Sequence, residues 1–426
     1  MGDRHLYDYI SGPSEDSTFL VESIDPYNLM PNLERITFGQ ENMNISQYFD
    51  YTLLYLFTSP ALLEFDVLEF NQFTDPDQFE MFLNLLNQRL LTVCSKLQKL
   101  RLFSPCQERD DEMTQDDIDQ MFRYKDLPIP SHLTTISFSS DMLNLEFLAW
   151  ISKMPALRDI NIWDFGAFSS PLLEEADFHE DSFQNVRVLT MDSCDIQGAS
   201  SIWNTLLVRR LTEAKCVFMP ETEDESDEDD SDDDNEELGL EHFIELVLRQ
   251  TRHLNKLDLT AQADHKLLFC PSEIQVTSWH DLEVFSMSRM DLYGLHPLRS
   301  IASIWPGLRK LELLDFQPTF QDFVQLPTHL PNLDCLSTMV PKELQREAQL
   351  KAIFMNDIPI GSATLRPVFH TNLHLLHLQP DNDVVALLSR FFSRWSPKMQ
   401  CIPADQRDFM DNYAALNDQI LALSSE

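Results

Sequence analysis

The sequence predicts an α/β fold: an irregular solenoid, or horseshoe, with parallel strands on its concave face and helices on its convex face. Three observations predict it. A short pattern, L-x-x-φ-x-φ with φ apolar, recurs along the chain, and its last two positions have the spacing that places side chains on one face of a strand. Helical apolar spacing returns between the copies. Several copies share one lead-in, as in Pro306-Gly307-Leu308.

The copies lie near the period of a leucine-rich repeat, which is about 20–29 residues. One long gap is filled by a degenerate twelfth copy at Leu211, Ala214 and Cys216. A single strand and helix cannot bury their apolar faces alone, so neighbouring copies must stack. We expect a solenoid of 11 to 12 repeats over residues 31–400. The eleven clear matches begin at Leu33, Leu62, Leu97, Leu133, Leu157, Val186, Leu254, Leu282, Leu308, Leu333 and Leu373.

A doubly wound α/β domain is the alternative fold. It predicts fewer strands, longer periods and a glycine-rich first turn, whereas this chain has nine glycines in all. Three segments between predicted strands have the apolar spacing of helices: 79–90, 240–248 and 384–391. Residues 401–426 are predicted to hold an amphipathic helix that caps the last repeat. Residues 1–30 are expected to form an N-terminal cap or leader.

An acidic insertion, residues 220–238, interrupts the repeats. Residues 221–237 contain thirteen carboxylates and no hydrophobic residue, so self-repulsion predicts disorder. Ser226 and Ser231 are each followed by acidic residues, which is the pattern an acidophilic kinase needs. They are phosphorylation candidates. The alternative is a solvated spacer that is never modified.

Composition narrows the classes of partner. The formal net charge is −39. Nucleic acids and anionic membranes are themselves negatively charged and bind surfaces of clustered Lys and Arg, so we expect neither as a partner. Seven scattered cysteines without a C-x-x-C pair indicate a reducing compartment. We therefore expect a cytoplasmic or nuclear protein, or one found in both. No apolar run is long enough to predict a membrane span.

The motifs of common enzymes are missing from the sequence. It holds no phosphate-binding loop, dinucleotide fingerprint, nucleophile elbow or zinc-protease motif. His179-Glu180 begins like the last of these, but Phe183 stands where the second histidine belongs. The histidines are dispersed and predict no metal site. We expect a non-enzymatic protein with no catalytic residues, metal or cofactor.

The irregular spacing, the Pro-x-Leu lead-ins and the aromatic-rich helical segments resemble the leucine-rich repeat region of F-box proteins, especially the large fungal set. The resemblance implies that the solenoid holds a protein substrate while an F-box recruits the adaptor subunit of a cullin-RING ubiquitin ligase. Residues 1–30 show no F-box pattern, so an adaptor partner is expected only if an F-box precedes Met1. The repeats also lack the family's Asn or Cys three residues after the third apolar position, where only Cys194 conforms.

The residues between the buried apolar positions of each strand are the candidate partner-binding residues, because they point to the opposite face. Their mixed charge suits protein recognition. We therefore predict a substrate-recognition scaffold for protein–protein interaction, with a partner not identified by the sequence. The candidates are Arg35, Lys99, Arg101, Asp159, Asn161, Lys256, Asp258, Lys310 and Glu312, and the same alternation selects Thr37, Asp66, Ser137, Ser286 and His377.

An acidic chaperone is the alternative function. The chain resembles the acidic leucine-rich nuclear phosphoproteins in combining repeats with a carboxylate run, which implies binding to histones or other basic proteins. In that family the run follows a short solenoid, whereas residues 221–237 interrupt a long one. An enzyme with widely scattered active residues is a third, weaker hypothesis.

Overall fold

The structure is a computed structural model, and its described part is an α/β fold of parallel strands with few helices. The chain divides into two compact units: the first holds Met1–Asp192 and Asn204–Arg210, the second Ser193–Trp203 and Leu211–Glu426. The described residues are 31–38, 58–67, 90–102, 127–143, 145–163, 178–179, 181–219, 239–262, 267–274, 282–294, 296–339, 366–371, 400–403, 418 and 422.

In the first unit the strands follow one another across the sheet in chain order, and their described pairs are parallel. Parallel neighbours in chain order require a crossover after every strand, as the repeat pattern predicts. The strands are β1 (Arg35–Phe38), β2 (Glu64–Val67), β3 (Lys99–Arg101), β4 (Thr135–Ser139), β5 (Asp159–Trp163) and β6 (Val188–Cys194), the last two residues of β6 belonging to the second unit.

The second unit repeats this arrangement in the order β7-β8-β10-β12-β13-β14-β15, again with parallel pairs. A separate two-stranded parallel sheet joins β9 and β11. The strands are β7 (Glu213–Phe218), β8 (Lys256–Ala261), β9 (Leu267–Phe269), β10 (Val284–Ser288), β11 (Met290–Leu292), β12 (Lys310–Leu313), β13 (Cys335–Thr338), β14 (Arg366–Thr371) and β15 (Gln400–Pro403).

The helices pack against the apolar face of the strands. Phe147 contacts Phe138 of β4 with ring centroids 4.7 Å apart, and Phe243 contacts Phe218 of β7 at 5.5 Å. These aromatic contacts bury large side chains between helix and sheet. The described α-helices are α1 (Leu145–Ile151), α2 (Ile196–Trp203), α3 (Leu240–Gln250), α4 (Pro297–Ile304) and α5 (Phe320–His329). None of them is long and apolar enough to cross a membrane.

One carbonyl per repeat ties neighbouring strands together where they begin. The Glu34 carbonyl accepts the N–H groups of Leu63 and Glu64 at 2.8 and 3.1 Å, and the Glu283 carbonyl accepts those of Arg309 and Lys310 at 2.8 and 2.9 Å. Backbone groups therefore hold neighbouring repeats together, although these repeats, Cys194 apart, lack an Asn or Cys three residues after the third apolar position. The same double acceptance occurs at Leu63, Gln98, Thr134, Arg158, Thr212, Asn255 and Arg309.

The lead-in before six of the described strands is a turn with a buried first residue. In the copy that begins at Leu308, its N–H donates to the Trp305 carbonyl at 3.3 Å, and Trp305 is buried. Pro306 occupies the second position of this turn, where its fixed φ is favourable. The same type of turn is closed in five other copies by the N–H groups of Leu62, Leu97, Leu157, Val186 and Leu333.

The predicted strands that lie within the described residues are confirmed, including the degenerate twelfth copy. Leu211, Ala214 and Cys216 are buried, and the last two lie on β7. The helix predicted over 240–248 is α3.

Two predictions near the C-terminus need correction or stay untested. The strand beside β13 is Arg366–Thr371, upstream of the copy predicted at Leu373, whose residues from 372 onward lie outside the described part. The capping helix is predicted within residues 401–426, but residues 401–403 belong to β15, because they continue the parallel ladder of β14. Further along this segment, Asp418 and Ala422 are helical. Residues 1–30, 79–89, 220–238 and 384–391 lie outside the described residues.

Candidate protein-interaction surface

The side of the strands away from the helices carries polar side chains in both units, and we call it the polar face. In β5 the residues Ile160 and Ile162 are fully buried, while Asp159, Asn161 and Trp163 are half-buried on the other side. This alternation is the two-residue period of a strand with one face in the core. All nine candidate residues lie on the polar face of their strands, as the sequence predicts, because each precedes a buried apolar residue.

An ion-paired row opens the polar face of the first unit. Arg35, Glu64 and Lys99 occupy the same position on β1, β2 and β3. Glu64 accepts from both neighbours: its carboxylate lies 3.4 Å from Arg35 Nε and 3.0 Å from Lys99 Nζ. Cross-strand pairs of opposite charge stabilise a sheet modestly, by about 0.2–1 kcal/mol each. Their larger effect is to fix where the charges lie.

The next row of the first unit contains an arginine that contacts both a carboxylate and an aromatic ring. Arg101 Nη1 lies 3.5 Å from Asp66 Oδ1. On its other side, the Arg101 guanidinium carbon lies 5.3 Å from the centre of the Trp163 ring. Because Arg101 is on β3 and Trp163 on β5, the arginine side chain reaches across β4. The guanidinium is therefore held between a carboxylate and an aromatic ring, an arrangement that favours Arg over Lys.

Hydrogen bonds continue both rows towards β5. Thr135 Oγ1 donates to Asp159 Oδ2 at 3.3 Å, and Asn161 Nδ2 donates to Ser137 Oγ at 3.0 Å. Asp159 also lies 3.8 Å from Arg158 Nε. Polar side chains on neighbouring strands thus orient one another. Because they are already ordered, they lose less conformational entropy when a partner binds.

In the second unit the polar face has its own charged rows. Lys256 Nζ of β8 lies 3.5 Å from Glu213 Oε2 of β7. On β12, Lys310 Nζ lies 2.9 Å from Glu312 Oε1. Asp258 and Glu312 stand on either side of Ser286, which is buried at the bottom of the row. At this point of the face a short side chain lies between two longer, charged ones.

The polar face is nearly neutral although the chain is strongly acidic. In the first unit the described strands place three cations there, Arg35, Lys99 and Arg101, against Glu64, Asp66, Asp159 and Asp192. In the second unit, among the strands whose side chains are described, β7, β8 and β12 place three cations, Lys215, Lys256 and Lys310, against Glu213, Asp258 and Glu312. The net charge of −39 therefore resides elsewhere in the chain.

Sequence reasoning missed three members of the surface: Glu64, Glu213 and Trp163. Glu64 and Glu213 occupy the template position of Arg35, Lys99, Lys256 and Lys310, so position alone could have selected them. Trp163 follows Ile162, the third apolar position of its repeat. The L-x-x-φ-x-φ pattern ends there and makes no prediction about which face the next residue occupies. His377, Ser226 and Ser231 lie outside the described residues.

Neither a search for metal-binding groups nor a comparison with known proteins identifies a further site. Within the part of the chain that the structure describes, no three His, Cys, Asp or Glu side chains are grouped so that they could hold a metal ion. A comparison of the chain with known protein families and with curated proteins finds no match.

Proposed function

We propose that the protein is a non-enzymatic scaffold for protein–protein interaction, and that a partner protein binds the polar face. In this proposal the repeats form an irregular leucine-rich repeat solenoid, with the polar face on its concave side. The observation that carries it is the placement of Arg101 between Asp66 and Trp163, beside the hydrogen bond that Asn161 donates to Ser137. Arg and Trp are among the residues that contribute most to protein interfaces.

The electrostatics of the face support a partner with mixed charges. A surface of paired Lys, Arg and carboxylates binds by exchanging ion pairs, and complementary charges mainly set specificity and the association rate. A uniformly basic or acidic partner would leave half of these charges unmatched. We therefore expect a folded protein surface with interspersed charges, consistent with a substrate-recognition role.

Affinity capture from cell extract followed by variant analysis tests the proposal. Proteins recovered with the wild-type chain should be lost, by at least about tenfold, with Arg101→Ala and with Trp163→Ala, because truncating a central anchor typically costs this much or more. Lys153→Ala is the matched control, since Lys153 is an exposed cation in the loop after α1. If both face variants capture the same proteins as the wild type, the polar face is not the binding surface.

A role in ubiquitin ligation is a finer form of the same proposal. The resemblance to F-box proteins implies that the substrate-binding repeats act together with an adaptor subunit. Binding of purified adaptor to the chain in a sedimentation assay would support this role. Binding only to a longer form of the protein would place the adaptor site outside residues 1–426.

The acidic chaperone is the second candidate, and the charge distribution favours a separate site for it. Because the polar face is nearly balanced, a basic partner would bind the thirteen carboxylates of residues 221–237. Core histones should then bind the wild-type chain and be released by moderate salt, as screened charges predict. Replacing the aspartates of this segment with Asn should abolish that binding while Arg101→Ala leaves it unchanged.

A further inference from the structure

We propose that the small sheet of β9 and β11 is a second protein-binding surface, which binds an apolar partner segment that carries Lys or Arg. This surface belongs to the second unit and is separate from the polar face. The proposal does not depend on the proposed function, since it concerns other residues and a partner of different chemistry.

The register of the small sheet places three side chains on one outward face. Leu268 of β9 pairs with Asp291 of β11. Tyr293 follows two residues later, and its N–H donates to the Phe269 carbonyl at 3.1 Å, which extends the ladder by one step. Residues two apart on a strand share a face. Phe269 and Met290 point the other way and are buried.

The outward face exposes two large hydrophobic side chains, which lie diagonally across the two strands. Leu268 is 61 % exposed and Tyr293 is 43 % exposed. Among the described residues only Ile129 and Leu145 are comparable, and both belong to the first unit. An isolated exposed leucine is ordinary, but an apolar pair on a fixed strand face is the kind of surface that partners cover.

Two glutamates are tied by hydrogen bonds to Cys270, which follows Phe269 and lies beside Tyr293 in the extended ladder. Glu241, in the first turn of α3, accepts the Cys270 N–H with Oε1, and the Glu273 N–H donates to the Cys270 carbonyl at 3.0 Å. Desolvation raises the pKa of Tyr293, and the negative charges of Glu241 and Glu273 raise it further. Asp291 adds a third charge on the same face.

These features define the chemistry of the occupant. An apolar side chain would cover Leu268, and a neighbouring Lys or Arg would reach the carboxylates and lie against the Tyr293 ring. An acidic segment would be repelled at the same place. Arg289 precedes β11, at the opposite end of the strand from Tyr293, so the negative charge is concentrated at the carboxyl end. The occupant is therefore a basic and apolar segment of another protein.

Fluorescence anisotropy with three short labelled peptides tests the proposal on the full chain. One peptide alternates Lys and Leu, one Lys and Ser, and one Glu and Leu. The acidic insertion attracts the first two equally through charge, so the informative quantity is the ratio of their affinities. We expect the Lys–Leu peptide to bind about tenfold more tightly than the Lys–Ser peptide, because only its leucines bury apolar area on Leu268. The Glu–Leu peptide should bind weakest.

Variants locate this preference. Leu268→Ser should reduce the ratio to about twofold or less, since the apolar contact is lost while the charges remain. Tyr293→Ser serves as a second variant in case the first fails to fold, and circular dichroism reports folding in each. Leu145→Ser, which removes an exposed leucine from the first unit, should keep the wild-type ratio. Three outcomes would each overturn the proposal. The wild type could bind the two basic peptides with equal affinity, the ratio could stay unchanged in both variants, or the Glu–Leu peptide could bind as tightly as the Lys–Leu peptide.

Discussion

The guanidinium of Arg101 lies over the ring of Trp163, 5.3 Å from its centre, although the two residues are on strands separated by β4. The residue of β4 that pairs with Trp163 is Ser139, which is only 2 % exposed although it is small and polar. Asp66 holds the guanidinium from the side of β2. The polar face is thus preorganised here before any partner binds.

A double-mutant cycle on Arg101 and Trp163 should reveal a coupling of about 0.5–1 kcal/mol, the usual value for a partly exposed cation–π pair. The cycle compares Arg101→Ala, Trp163→Ala and the double variant by urea unfolding. Cation–π attraction acts only when both groups are present, so the double variant should lose less stability than the sum of the single ones. Additive losses would mean that the two side chains are neighbours without mutual stabilisation. Arg35→Ala, paired with Trp163→Ala in the same way, provides a non-contacting control.

Neighbouring residues of β12 should differ sharply in their effect on stability. Leu311 is fully buried, whereas Lys310 faces outward and is paired with Glu312. Leu311→Ala should lower the free energy of unfolding by about 2–5 kcal/mol, because it removes buried methyl groups and leaves a cavity. Lys310→Ala should lower it by less than about 1 kcal/mol, as is usual for an exposed ion pair. Urea denaturation measures both, and similar losses would contradict the assignment of the two faces.

The strand positions could be predicted from the sequence because burial on one face imposes a period of two on every copy. Leu211, Ala214 and Cys216 show how far this holds: a small residue and a thiol replace larger apolar residues, yet β7 forms and pairs with β8 in register. The ladder of shared carbonyls explains the tolerance, because backbone hydrogen bonds do not depend on side-chain identity. Cys194, the one Cys or Asn that lies three residues after a third apolar position, donates its S–H to the Val217 carbonyl, with Sγ 3.4 Å from the oxygen.

What the sequence did not reveal depends on contacts between repeats. The small sheet of β9 and β11 arises from residues that follow β8 and β10, and its strands are too short for a recognisable alternation. The role of Trp163 depends on an arginine about sixty residues earlier in the chain, a relation that no local pattern contains. For the same reason Glu64 was overlooked: its two cationic partners lie on other strands.

The N-terminal cap of α5 should contribute measurably to stability. Thr319 Oγ1 accepts the Asp322 N–H at 3.1 Å and donates to Asp322 Oδ2 at 3.0 Å, and His296 Nδ1 lies 3.0 Å from the other carboxylate oxygen. Thr319→Ala should cost about 1 kcal/mol of unfolding free energy, because it leaves a helix N–H and a buried carboxylate without their partner. Thr319→Ser keeps the hydroxyl and should cost clearly less. Equal losses in the two variants would show that the methyl group, not the cap, matters.

The buried thiol of Cys216 should make part of the stability depend on alkaline pH. Burial, and secondarily Cys194 and Asp258, raise the pKa of this thiol well above its usual value. The folded state therefore holds the proton more tightly than the unfolded state. The resulting stability is complete below the unfolded pKa and is lost as the pH rises towards the folded pKa. Urea midpoints should fall above the ordinary thiol pKa more steeply for the wild type than for Cys216→Ala.

The comparison with Cys216→Ala is needed because tyrosines and lysines titrate in the same range, and only the difference between the two slopes belongs to this thiol. Labelling provides an independent measurement. Only a thiolate attacks a disulfide reagent, and a buried thiol with a raised pKa supplies very little of it. Cys335, which is partly exposed, should therefore react in the native protein, and Cys216 only after unfolding in urea. Native labelling of Cys216 at the rate of Cys335 would show that β7 opens readily and leaves the thiol accessible. Identical slopes in the two proteins would show that this thiol does not contribute to the alkaline loss of stability.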